Sequence, residues 1–122
     1  MYGTKQGAHQ WYTELKCVFQ KHGFMTLQAD EVVFYKFLGK EYTIVAVATD
    51  DFTIIGDSTQ STSPVKKHLV DHSEIVDLGP INWLLGISLT HNYDTCTIAL
   101  GQQVYIKQII TCFGLEDARP VS

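Results

Sequence analysis

An α+β fold, a mainly antiparallel sheet with helices packed mainly on one face, is what three features of this chain predict. Apolar residues recur at helical spacing in three segments and at strand spacing in five others. The strands arrive in runs rather than alternating one-for-one with helices, giving the order α-β-β-β-α-β-β-α and disfavouring a parallel sheet. The most apolar stretch, TIVAVATDDFTIIGD, is interrupted only by an acidic pair, as a hairpin would be.

Trp11, Leu15, Val18, Phe19 and His22 lie on one helical face and Gly23 is a good stop, so a first helix is expected over 8–22. EVVFYKF, residues 31–37, is β-branched and aromatic and ends in a Gly39-Lys40 turn. Strands over 42–48 and 52–57 flank the acidic turn. Their alternation puts Tyr42, Ile44, Ala46 and Ala48 on one face and Thr43, Val45 and Val47 on the other. Both faces are apolar and call for cover. A polar link, DSTQSTS, leads to Ser63-Pro64, which reads as an N-cap followed by proline at the first helical position. Val65, Leu69, His72 and Val76 stripe that second helix, and Asp77-Leu78-Gly79-Pro80 stops it. WLLGISLTH and TCTIAL read as two strands joined by Asn92-Tyr93-Asp94. Tyr105 or Ile106, Ile109, Ile110 and Phe113 line a last helix ended by Gly114. The 122 residues suit a single domain, 1–122.

Composition narrows the class. Apolar content of 45% with 18% charged residues fits a globular chain rather than a disordered one. No apolar run reaches the roughly 20 residues needed to span a bilayer, and MYGTKQGAHQWY has no signal-peptide core, so an intracellular location (cytoplasm or nucleus) is expected, with no membrane partner. Cys17, Cys96 and Cys112 form no Cys-x-x-Cys pair and read as reduced, mostly buried thiols. The net charge of −4 disfavours strong autonomous nucleic-acid binding, which normally rests on a basic face.

Asp50 and Asp51 are the sharpest candidate site. Neighbouring acids repel and lose hydration unless a cation or donor compensates. At a hairpin tip they could share Mg²⁺, which takes hard oxygen ligands and usually one or two carboxylates plus phosphate; Asp is equally an ordinary turn residue. His68 and His72 are four apart, with Asp71 beside them, a spacing that chelates transition metals, but no zinc-hydrolase pattern surrounds them and packing accounts for His72. Trp11, Tyr12, Phe34, Tyr35 and Trp83 could stack on bases, although their spacing fits core positions.

In order along the chain these segments resemble the reverse transcriptase of copia-type retrotransposons. MYGTKQGAHQWY is similar to that family's Leu-Tyr-Gly-Leu-Lys-Gln-Ala-Pro-x-x-Trp-Tyr and keeps Tyr2, Gly3, Lys5, Gln6, Trp11 and Tyr12. Gly23-Phe24, Ala29-Asp30 and Phe34-Tyr35 match Gly-Phe … Ala-Asp-x-x-x-Phe-Tyr. ATDDFTIIG resembles Tyr-Val-Asp-Asp-x-x-Ile-x-Gly, with Asp50 and Asp51 on the paired aspartates. Asp77-Leu78-Gly79, Leu84 to Ile87, then Leu100, Gln102, Tyr105, Ile106 and the closing RPVS continue the likeness.

The resemblance implies a partial polymerase palm, ferredoxin-like in fold, for RNA-directed DNA synthesis by two-metal nucleotidyl transfer. It implies Asp50 and Asp51 as catalytic Mg²⁺ ligands, Asp50 bridging. Tyr2, Gly3, Lys5 and Gln6 would lie at the incoming nucleotide, and Trp83, Leu84, Leu85 and Gly86 would grip the primer. Template–primer nucleic acid is the implied partner in a full-length protein, with weak or no binding by this segment alone. The family's third aspartate and its fingers fall outside the matched blocks, Tyr before the aspartates is Ala48, and Ala-Pro becomes Gly7-Ala8. The expectation is therefore a truncated palm, silent by itself. An exposed strand edge would then favour a homodimer. The alternative is a domesticated, non-catalytic binding or oligomerisation module.

Overall fold

A computed structural model describes residues 5–121. The described residues are α+β, with three helices and two antiparallel sheets, in two compact units that divide after Asp77.

The first unit runs α1 (Lys5–Lys21), β1 (Met25–Thr26), β2 (Val33–Leu38), β3 (Glu41–Ala48), β4 (Asp51–Gly56) and α2 (Thr59–His72), with the sheet ordered β1-β2-β3-β4. α1 stops where expected because Gly23 adopts φ 83°. The Phe24 amide then donates to the Phe19 carbonyl and that of Gly23 to Gln20, both at 3.0 Å, which satisfies the helix's last carbonyls. The rings of Phe19 and Phe24 close this cap at 5.3 Å. Asp30 makes the next turn, its carboxylate accepting from the Val32 amide at 3.2 Å.

Strand register decides which side is core. Phe34 stands opposite Val45, Ile54 opposite Val45, and Phe52 opposite Val47. That face meets Phe19 of α1 and Leu69 of α2, so both helices cover the same side, as the sequence predicts. Tyr35, Phe37, Tyr42, Ile44, Ala46, Thr53 and Ile55 share the opposite face, on which Phe37 is 64% and Ile55 47% exposed. Neither α1 nor α2 supplies the second cover that the alternation calls for.

α2 begins five residues before the Ser63-Pro64 start read from the sequence. Ser58 caps it: its side chain accepts from the Ser61 amide at 3.2 Å, and Ser61 accepts from the Ser58 amide at 3.4 Å. The Thr43 hydroxyl, buried in β3, donates to the Ser61 carbonyl at 3.0 Å and ties this turn to the sheet. These bonds make the serine-rich link helical and leave Pro64 inside the helix. α2 also ends early, at His72, so Val76 is 76% exposed and lies beyond the stripe to which the sequence assigns it. Gly56 fits under the new first turn: a β-carbon there would lie 2.5 Å from Thr62 Cγ2 and 2.6 Å from Ser61 Oγ.

The second unit holds β5 (Trp83–Leu84), β6 (Ile87–Asn92), β7 (Thr97–Gly101) and α3 (Gln103–Cys112), its sheet ordered β5-β6-β7. WLLGISLTH is thus two strands rather than one, because Leu85 (φ 49°) and Gly86 (φ 80°) form a two-residue turn between paired Leu84 and Ile87. The β6–β7 turn occupies 93–96, not 92–94, since Asn92 and Thr97 still pair. Asn92 Oδ1 accepts from the Asp94 and Thr95 amides at 3.0 and 3.1 Å and builds that loop. α3 ends in the same manner as α1, the Leu115 amide donating to the Ile110 carbonyl at 2.9 Å with Gly114 at φ 63°. Its apolar stripe is not a core face: Tyr105, Ile106 and Phe113 are all more than half exposed. All three cysteines are free, as read from the sequence, but exposed rather than buried.

Candidate functional site

Asp50 and Asp51 lie at the tip of the β3–β4 hairpin. Ala48 pairs with Asp51, so the loop is the two residues Thr49 and Asp50, and Asp51 is already the first residue of β4. Thr49 takes φ 55°, a left-handed conformation that a β-branched residue adopts at a cost of about 1–3 kcal/mol. Backbone strain of that size collects where a turn must present particular groups. Both aspartates are exposed, and neither carboxylate has an ion-pair or hydrogen-bond partner among the described residues.

The two faces of the hairpin differ at this tip. Phe52, next to Asp51, turns under the helices and meets Trp11 of α1 edge-on, with centroids 6.2 Å apart. This contact lays the N-terminal half of α1 over the aspartate end of the hairpin. Lys5 and Gln6 form the exposed first turn of that helix. Asp51 shares the uncovered face with Ala48, Ala46 and Thr53, so this face is shallow near the acids. Farther along, Ile44, Ile55, Tyr35 and Phe37 make it bulky.

The other predicted site residues divide. Tyr2 and Gly3 lie outside the described residues. Trp83, Leu84, Leu85 and Gly86 come together as one hairpin tip in the second unit, with Trp83 49% and Leu85 74% exposed. Trp11, Tyr12 and Phe34 pack in or against the core instead of standing ready for bases. His68 is half-buried and His72 exposed, each in ring contact. Sequence spacing alone misses their third neighbour, His22, because it comes from the turn after α1. Among the described residues, no group of three or more His, Cys, Asp or Glu is placed to hold a metal ion. Two adjacent, uncompensated carboxylates nevertheless fit a share in a Mg²⁺ site, which draws its remaining oxygens from phosphate and water.

The family described as reverse transcriptase (RNA-dependent DNA polymerase) matches residues 1–122. The chain belongs to the reverse transcriptase family. Its similarity to curated relatives also covers the whole chain. It is 27% identical to the "Retrovirus-related Pol polyprotein from transposon TNT 1-94" of Nicotiana tabacum, over 100% of this chain and 9% of that protein. It is 25% and 24% identical to the transposon RE1 and RE2 Pol polyproteins of Arabidopsis thaliana, each over 100% of this chain and 8% of the relative. The copia-type resemblance read from the motifs therefore holds from end to end, and the chain spans less than a tenth of these relatives' length. No solved structure matches the chain. No helix among the described residues is long and apolar enough to cross a membrane.

Several motif positions that link this chain to the family have structural work. Gly23 permits the α1 cap, Asp30 makes the β1–β2 turn, and Gly56 admits the start of α2. Asp50 and Asp51 have no such internal role, and that sets them apart.

Proposed function

We propose that this chain is the palm segment of a reverse transcriptase and that Asp50 and Asp51 supply carboxylate ligands for the Mg²⁺ of nucleotidyl transfer. The observation that carries this reading is the pair's position: exposed, uncompensated, on a strained two-residue turn, within a chain that matches the family throughout. When bound, the ion would neutralise phosphate charge and polarise the attacking hydroxyl. The protein's own share is placement. Asp51 projects from the uncovered face, where Ala46, Ala48 and Thr53 leave room for a primer end, and Trp11 against Phe52 fixes the hairpin from behind. Lys5, in the first turn of α1, is suited to a nucleotide phosphate, and the Trp83–Gly86 tip to a primer strand.

The test is addition of Mn²⁺ to the isotopically labelled chain. Paramagnetic broadening is expected first at residues 48–52 and is expected to vanish in an Asp50→Asn, Asp51→Asn double variant. Broadening centred on the histidines alone would remove the reading.

Self-association is a second reading with its own support. β4 is the end strand of its sheet, so the outer backbone groups of DFTIIG are open to another strand. A two-fold dimer through β4 is expected in light scattering at high micromolar concentration, and a proline at Ile54, whose amide faces away from β3, should reduce it. A monodisperse monomer would refute the dimer.

A further inference from the structure

Where the end of α1 meets α2, three imidazoles stack. His22 immediately follows α1, while His68 and His72 are one turn apart on α2. The ring centroids of His22 and His68, and of His68 and His72, are each 4.1 Å apart, with interplanar angles of 49° and 30°. The outer two rings are oriented by the backbone. His22 Nδ1 lies 2.9 Å from the Val18 carbonyl and His72 Nδ1 3.0 Å from the His68 carbonyl, so in each the proton sits on Nδ1. His68 Nε2, between them, is buried and has no hydrogen-bond partner among the described residues.

The charges around this corner are mostly of one sign. β2 sends the Lys36 ammonium to the His22 carbonyl at 2.8 Å, and Lys21 and Lys67 are the neighbours of His22 and His68 in the chain. Asp71 on α2 is the acid that favours a proton on His68. β1 contributes Met25 and Thr26, which carry no charge. Burial, then His22 and His72, outweigh Asp71 and hold the His68 imidazole below the ordinary histidine range.

We propose that the His22–His68–His72 stack is a proton-sensitive joint: uncharged, it holds the end of α1 against α2, and positive charge entering it on acidification separates the rings. Like charges at this spacing, beside a lysine and with no acid between the rings, are mutually unfavourable. The direction follows from proton binding. Between the folded and the ordinary value of His68, the unfolded chain binds more protons, so stability falls as pH falls through that interval. Above the ordinary value both states are neutral and the penalty is absent. The joint stands apart from the proposed polymerase role, because none of its residues belongs to the acidic hairpin.

The experiment is urea unfolding of the 122-residue chain from about pH 7.5 to about pH 5.5, the interval in which histidine titrates, beside His68→Phe, which keeps a planar ring without the charge. The wild-type midpoint is expected to move to lower urea on acidification, and the variant's to move distinctly less. Equal movement in both proteins would overturn the proposal. Should the variant not fold, amide-exchange protection in the wild type decides. Protection at His22 and Gly23, whose amides bond to Val18 and Gln20, should fall across this range while that of β3 holds. Constant protection at both would overturn it too.

Discussion

Asp50→Asn, placed in a chain that carries the rest of the polymerase, is expected to lower templated DNA synthesis by at least about 100-fold, the scale on which removing one pre-placed charge-stabilising group acts. Asn is nearly isosteric with Asp and as well suited to a turn, so the hairpin should keep its shape. The carboxylate makes no internal contact whose loss would unfold anything. Stability by urea unfolding should therefore stay within about 0.5 kcal/mol, as for surface changes away from packing or caps. That separation matters: lost synthesis with unchanged stability assigns the residue to chemistry, whereas a joint loss would make it scaffolding. Primer extension with Mg²⁺ on an RNA template is the measurement. Equal extension by the two proteins would end the proposal that this acid holds the ion.

The hairpin was legible in the sequence for a physical reason. Strand alternation is local, and the register pairing Ala46 with Thr53 and Val45 with Ile54 follows once the turn is placed. The glycine stops after α1 and α3 were equally legible, since each needs a positive φ that glycine takes without strain. Competing local signals hid the start of α2. Pro64 is a strong first-turn residue, but the reciprocal Ser58–Ser61 bonds and the Thr43 tie begin the helix earlier. Partition of the strands between two sheets was not legible, because pairing is a long-range choice that periodicity does not encode. The break at Leu85 was hidden by its type, since leucine seldom takes φ 49°. Of the candidate site, the acids were legible through their cost amid apolar strands. His22 was not, because its neighbours lie some fifty residues away in sequence, on another helix.

Phe34→Ala is expected to cost about 3–5 kcal/mol, the range for truncating a fully buried phenylalanine. Phe34 has no exposed surface and sits at the centre of the first unit's core. The Phe19 ring stacks on it at 4.7 Å and 22°, and Tyr12 lies at 6.4 Å. Its strand neighbour Val45 is equally buried. Removing the ring leaves a cavity bounded by a helix above and the sheet below. Collapse into it is opposed by the cap joining Phe19 to Phe24 and by the hydroxyl of Tyr12, which donates to the Glu31 carbonyl. Domains of this size have only about 5–15 kcal/mol in hand, so the variant should lose a large share of its stability and unfold at a distinctly lower urea midpoint. Phe37→Ala is the internal control. Phe37 lies three residues on in the same strand, 64% exposed on the uncovered face, and its loss should cost at most about 1 kcal/mol because little surface is buried there. Urea midpoints of the two variants measure the difference directly. If they matched, the helices would have to cover the other face of the sheet, and the acidic tip would be aimed into protein rather than toward a primer.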